Sequence, residues 1–376
     1  MFLALRELRF ARTRFALMGA VIALVSVLVV LLSGLSAGLV NDGVSGLKQL
    51  PVTHFSFEGG TKTDAAFTRS IIDVEQVDKL AEQPGVTDAA PYGLMLANAK
   101  KDDGGQPVDL TLVGVEEGSF VAPSAVAEGD LVGQADGIVV SSTAKDDGLE
   151  LGDKVTLERL DRTLTVVGIL PEQHTFGHVD IAYLPLVTWQ ELHSGGDVTA
   201  AADAEVPDVT TAAALRADGD FDPAATDAAL GTTTLTLKAA FGASPGYTAE
   251  TATLMLIQVF LYAISALVVG AFFTVWTIQR RHEIAVMRAM GATRKFLLAD
   301  SLGQAALLLA GAIGIGFAVG IGLGALLQGT AMPFALQAPD LAIAAALLVV
   351  LGMVGATAAV IRITSVDPLT ALGGQR

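Results

Sequence analysis

Long uncharged apolar runs bracket one extended stretch in which polar and apolar positions alternate over short distances. A bilayer core of about 30 Å is crossed by roughly 20 apolar helical residues. Four runs reach that length. No ionisable residue falls between Arg14 and Asp42, where Phe15 to Val40 reads as one span. A second run lies between Glu250 and Arg280. The run from Asp300 to Asp340 holds a helix at about Leu302 to Leu327 and a turn at Gln328 to Pro339, with Pro333 inside the turn. Asp340 and Arg362 bracket the fourth span. The first run exceeds the apolar length of a secretory signal and is expected to be a retained helix.

Between the first two spans the pattern changes. Lys154 to Glu158, a polar turn at Leu160 to Arg162, and Thr163 to Leu170 predict a hairpin. Val52 to Phe57, Leu110 to Val115 and Gly137 to Ser141 read as strands, and Val74 to Gln83 and Thr188 to Leu192 as helices. Residues 195–230, rich in Ala, Asp and Thr with few large apolar groups, predict a surface helix pair or a mobile insertion. The fold expected is an α-helical membrane protein with four transmembrane helices and a mixed α+β extracellular domain between helices 1 and 2.

Composition agrees with this division: 52% of residues are hydrophobic and 16% charged, too apolar for an ordinary soluble chain. Basic residues fix the orientation. Arg6, Arg9, Arg12 and Arg14 precede the first span, Arg280, Arg281, Arg288, Arg294 and Lys295 separate the second from the third, and Arg362 and Arg376 follow the fourth. Both termini and the 280–300 loop are therefore expected in the cytoplasm of a cell-membrane protein. The segment from Asp42 through Glu250, placed outside, holds 34 acidic and 12 basic residues. So acidic a surface argues against nucleic acid as a partner. With no cysteine, neither a disulfide nor a thiolate metal site is possible.

Catalytic signatures are missing. The sequence contains no G-x-x-x-x-G-K-[ST] phosphate loop, no H-E-x-x-H and no G-x-S-x-G. Nor does any span contain an Asp, Glu, Lys, Arg or His to serve as a proton relay. No catalytic residue and no metal site is assigned, and energy for any work must come from a partner. The sharpest motif is cytoplasmic: Arg281, Glu283, Ile284, Met287, Arg288, Met290 and Gly291 set an apolar stripe beside a basic one, with Gly291 able to end a short helix. Such a helix suits docking of a cytosolic protein; by spacing alone it also reads as a snorkelling juxtamembrane loop.

The run Arg280-Arg281-His282-Glu283-Ile284-Ala285-Val286-Met287-Arg288-Ala289-Met290-Gly291-Ala292-Thr293 resembles the coupling region of MacB-type (type VII) ABC transporter permeases, the superfamily that includes FtsX. An amphipathic N-terminal segment, a large domain between the first two spans, and Arg362 followed by Val366-Asp367-Pro368-Leu369 are similar to the same family. So are Gly137-Ile138-Val139-Val140-Ser141-Ser142 and Leu149 to Leu157. The resemblance implies a homodimer in membrane lipid, bound to two copies of a separate cytosolic ATPase that carries ATP and Mg. It implies a cytoplasmic amphipathic helix at 1–14, spans at 15–41, 251–279, 301–327 and 341–361, and an extracellular domain at 42–249. A coupling helix falls at 280–300, a short outer loop at 328–340 and a cytoplasmic tail at 362–376.

Within that family the layout most resembles the haem-exporting permeases of Gram-positive bacteria. The protein would then hold no intrinsic cofactor, and haem would be its transported substrate. Haem iron takes His, Met or Tyr ligands. Tyr247, Met255 and Tyr262 lie near the outer ends of the first two spans, His54 and Glu58 just beyond the first, and His174 and His178 in a loop, while Phe260 can stack on the macrocycle. Taken singly, Met255, Phe260 and Tyr262 are more often lipid-facing or seam residues, and the two histidines surface residues. Gly316, Gly320 and Gly324 form a small-xxx-small face expected to pack helices within the chain, with Ser26, Ser33 and Ser36 at the seam of the first. Two other classes stay open, a mechanotransmitter acting on an extracellular hydrolase or sensor and a plain membrane-anchored binding domain with no ATPase, and within export the alternative load is a drug, peptide or lipoprotein.

Overall fold

A computed structural model describes residues 12–102, 107–195, 206–279, 286–287, 290–328, 330 and 332–364. The chain forms two compact units, a helical one from residues 1–38 and 251–376 and a sheet unit from Leu39–Glu250. The helices are α1 Arg12–Lys48, α2 Ala66–Arg69, α3 Val74–Ala81, α4 Ser142–Asp146, α5 Leu186–His193, α6 Pro223–Leu230, α7 Leu237–Ala240, α8 Tyr247–Gln279, α9 Arg294–Leu327 and α10 Ala338–Thr364. Four of them, α1, α8, α9 and α10, are long and apolar enough to cross a membrane.

In the helical unit, association cannot draw on the hydrophobic effect, because lipid is as apolar as leucine; close packing of small residues takes its place. A Cβ at Gly316 would fall 2.5 Å from the Ala23 carbonyl oxygen and from Ser26 Cβ, and one at Gly320 would fall 2.8 Å from Val30 Cβ. The Gly316 and Gly320 part of the glycine face of α9 is thus filled by α1. A Cβ at Gly355 of α10 would lie 2.4 Å from the Ala266 carbonyl of α8. Ser26 is buried and returns its hydroxyl to the Ile22 carbonyl at 2.8 Å, so it needs no partner on another helix. The loop after α9 turns back onto α1: Ala335 N–H donates to the Gly34 carbonyl at 3.0 Å, and the Phe334 ring occupies the space a side chain at Gly34 or Gly324 would need.

The strands of the sheet unit are β1 His54–Glu58, β2 Ile72–Asp73, β3 Val86–Lys101, β4 Pro107–Val115, β5 Glu128–Gly129, β6 Gly137–Val140, β7 Lys154–Leu157, β8 Arg162–Ile169, β9 Thr175–Phe176, β10 Val179–Pro185, β11 Val209–Thr210, β12 Ala212–Ala217 and β13 Thr232–Thr236. Eleven of them make one mixed sheet in the order β13-β1-β12-β3-β4-β10-β6-β8-β5, with β7 against β3 and β8 and β9 against β10. The β4–β10 and β6–β8 pairs are parallel. Aromatic side chains fill one core, where Phe55, Phe57, Tyr92 and Phe176 each meet Phe67 edge to face. Trp189 of α5 anchors another, lying over Gly93 and Gly114, where any Cβ would meet it at 2.5 Å or less.

The expected 154–170 hairpin is present as β7 and β8, with Asp161 at φ 47° in the turn. One expectation fails. Within 195–230, the segment Ala212–Leu215 is a fully buried strand at the centre of the sheet, between β1 and β3, and not part of a surface helix pair. Alanine's helix preference is overridden by pairing with β1 on one edge and β3 on the other, a tertiary effect absent from local pattern. Residues 196–205 lie outside the described residues.

Candidate functional site

Three places gather the side chains that bear on function. The first is an apolar cavity of about 450 Å³ in the helical unit. Leu28, Leu31, Leu32 and Leu35 of α1 recur at helical spacing along one wall, Ile257 and Leu261 of α8 form another, and Leu327, Met332 and Phe334 close the end. The volume lies in the ~300–1,000 Å³ range of sites for drug-sized ligands. Among the described residues, no ionisable side chain lines it. Met332 brings a thioether, a side-chain type that ligates haem iron. Sequence reading missed Met332 and Phe334 because a short loop between spans gives no sign that it folds back.

The second place is a latch on the outer third of α1. The helix is kinked at Val44, whose φ of −148° and ψ of 21° leave the helical region. Next to the kink, the Gly43 carbonyl accepts hydrogen bonds from Gly177 N–H at 2.9 Å and the Ser244 hydroxyl at 2.9 Å. The segment 173–178 binds the same stretch along its length. Gln173 donates to Asp42 at 2.9 Å and accepts from Asn41 at 3.1 Å; Gln49 donates to the Gln173 carbonyl at 2.7 Å; Thr175 N–H donates to Ser45 Oγ at 2.9 Å. At its tip, His178 places Nδ1 at 2.8 Å from Asp42 and Nε2 at 3.1 Å from Glu250 in the first turn of α8. Burial disfavours charge on this ring, but the two carboxylates outweigh it and hold its pKa above the ordinary value.

The third place is the 280–295 loop, where ATPase coupling is expected. Of its seven candidates, Arg281, Glu283, Ile284 and Arg288 lie outside the described residues. Met287 is half-buried, and Met290 and Val286 are exposed, Met290 at 76%. Gly291 has φ +99°, the left-handed conformation that ends a helix and that glycine adopts without strain. Thr293 then caps α9, its hydroxyl accepting from Phe296 N–H.

The residues considered for haem are divided between the units. Met255 and Phe260 are exposed on α8 at 68% and 59%, and Tyr262 packs against the helical core. In the sheet unit, His54 stands on β1 beside the Phe221 ring and shares a hydrogen bond with Thr53, its pKa lowered by burial, while Glu58 is exposed at the strand end. His174 turns Nδ1 to the Tyr183 hydroxyl at 3.1 Å, and burial pushes its pKa down to about 4. Tyr247 and His178 flank Gly43, each within 4 Å of where a Cβ there would stand. Both nitrogens of His178 are engaged by carboxylates, so this arrangement leaves it no lone pair for iron. Among the described residues, no group of three or more His, Cys, Asp or Glu is placed to hold a metal ion.

With this geometry in view, comparison with known proteins is decisive at the level of family. Residues 15–232 match the MacB-like periplasmic core domain and residues 255–368 the FtsX-like permease C-terminal domain. The chain belongs to the MacB-type, FtsX-like permeases. It is an ABC transporter permease of the MacB/HrtB type. Similar full-length proteins include a permease named for hemin transport, HrtB, of Staphylococcus epidermidis, 25% identical over 372 residues with 99% of each chain covered. An uncharacterized ABC transporter permease of Mycobacterium bovis is 26% identical over 384 residues, covering 100% of this chain and 99% of its own. The periplasmic region of MacB from Actinobacillus actinomycetemcomitans aligns with 50% of this chain and 90% of its own at 14% identity and a TM-score of 0.34. For this MacB-type permease, the four long helices and the α/β domain between the first two are therefore the expected family layout.

Proposed function

We propose that this permease is the membrane subunit of an ATP-driven exporter whose load is haem or a similarly flat amphiphile. The observation that carries the reading is the uncharged cavity walled by Leu28, Leu31, Leu32, Leu35, Ile257 and Leu261. A flat apolar macrocycle is stabilised by such walls, while its polar edge needs partners at the cavity rim. Met332 is the iron ligand the cavity offers, and HrtB's name for hemin transport supports the same load. No span holds an ionisable group to couple transport to protons, so the energy comes from ATP on a separate ATPase subunit. Two copies of this subunit act on two copies of the ATPase, docking through Arg281, Glu283, Ile284, Met287, Arg288, Met290 and Gly291. The arginine-rich 280–295 segment and both termini face the cytoplasm, and the sheet unit faces outward.

Titration of the purified permease with haem in nanodiscs, read at the Soret band, tests the load. A saturable shift is expected, weakened by Met332→Ala and abolished by Leu31→Trp, which fills the cavity. A non-saturating shift identical in all three proteins would refute haem as the load. The latch on the kinked helix supports a second reading, in which the same motion regulates an extracellular protein and exports nothing. Full ATPase coupling with no ligand in the cavity would favour it.

A further inference from the structure

Gly177 and His178 are the two central residues of the tight turn joining β9 to β10, where Val179 pairs with Phe176 and Asp180 with Thr175. Their φ values are 61° and 64°, so both occupy the left-handed region that a two-residue hairpin of this kind demands. Glycine suits the second of these positions best, and histidine, with asparagine and aspartate, is among the few other residues that adopt it. What the histidine supplies there is an imidazole directed between two helices, with Asp42 of α1 on one nitrogen and Glu250 of α8 on the other. A neutral imidazole has one N–H and one lone pair, and the lone pair would face a carboxylate oxygen. Only the imidazolium donates to both, and as a cation it also separates two like charges.

We propose that His178 is a positively charged pin that fixes the kinked end of α1 and the first turn of α8 to the β9–β10 hairpin. Asp42, His178 and Glu250 all belong to the sheet unit, and α1 and α8 each continue along the chain into the helical unit. The pin therefore makes the hairpin follow both helices together. Of the other titratable groups, the Tyr247 phenol on α8 flanks the same Gly43, and the Asp180 carboxyl on β10, held by the Thr143 hydroxyl, feels the charge of Asp42. Neither supplies a positive charge to replace the imidazolium. His178 is thus a positioning residue for transmission, an inference that rests on the permease reading above.

The native chain has no cysteine, so two spin labels can be placed without altering any native thiol. E172C and A249C, both at exposed positions of the sheet unit, report the spacing of the hairpin segment and α8 by pulsed EPR in nanodiscs with the cognate ATPase. A single short distance is expected in the parent protein. H178N keeps a residue that tolerates positive φ but removes the cation, and should lose the short-distance population and with it ATPase stimulation. E250Q added to H178N removes the repulsion between the carboxylates and should restore both. An unchanged distance in H178N, or an altered distance with full stimulation, overturns the proposal, as does failure of E250Q to restore. If no variant, parent included, stimulates the ATPase, the proposed coupling to that ATPase fails instead, and the distances still judge the pin.

Discussion

Replacing Gly316 with alanine adds one methyl group, and its Cβ would lie 2.5 Å from a carbonyl oxygen of α1 and 2.5 Å from Ser26 Cβ. Ordinary contact begins near 3.4 Å, so α1 and α9 must part by about 1 Å. Neither side can yield cheaply, since one neighbour is backbone and the other is a buried side chain. Overpacking of this kind costs about 1–3 kcal/mol. Gly322 on the same helix has nothing within 4 Å of its added Cβ, so Gly322→Ala should gain the ~0.5–1 kcal/mol that alanine holds over glycine in a helix. The two variants should therefore differ by about one to three decades in unfolding equilibrium constant. Denaturation by SDS in mixed micelles, or steric trapping in bicelles, measures this. If Gly316→Ala unfolds at the same point as Gly322→Ala, the close α1–α9 crossing is wrong.

Other expectations follow from the same packing and burial. Trp189→Ala should cost about 3–5 kcal/mol, seen as a lowered melting temperature of the sheet-unit transition, because it empties the space over Gly93 and Gly114. Burial pushes the His174 pKa from 6.5 to about 4, so the unfolded chain binds more protons between those values and stability falls as pH drops through that window, by at most about 3 kcal/mol. In denaturant titrations across that range, His174→Phe should flatten the slope. Gly291→Ala forces a side chain into φ +99°, and should lower permease-stimulated ATP hydrolysis while leaving haem binding intact; replacing Glu283 and Arg288 together should do the same.

Much of this architecture is legible along the chain because lipid allows few solutions. A span must be a continuous apolar helix, and the four uncharged runs locate them; the glycine face of α9 likewise announces a close helix neighbour. Hairpin β7–β8 is legible through its alternation. Strand β3 is not, since Ala89-Ala90-Pro91-Tyr92-Gly93 reads as turn composition, and Gly93 is there to admit the Trp189 ring. Buried Ala212–Leu215 hides behind helix propensity in the same way. The latch is beyond local reading altogether, because His178 meets partners 136 and 72 residues distant in sequence. Its nearest sequence signal, a Gly-His pair between two short β-type runs, marks a turn and says nothing of what the turn touches.

The returning loop after α9 also limits how α1 can move. Gly34 and Gly38 are one helical turn apart, with Phe334 against the first and the Pro333 carbonyl against the second, so they form a smooth lane parallel to the axis. Turning α1 by one residue, about 100°, would swing Ser33 or Leu35 into the ring and break the Ala335–Gly34 hydrogen bond. At this level the returning loop keys α1 against spinning, because only its glycine face admits the ring and the carbonyl.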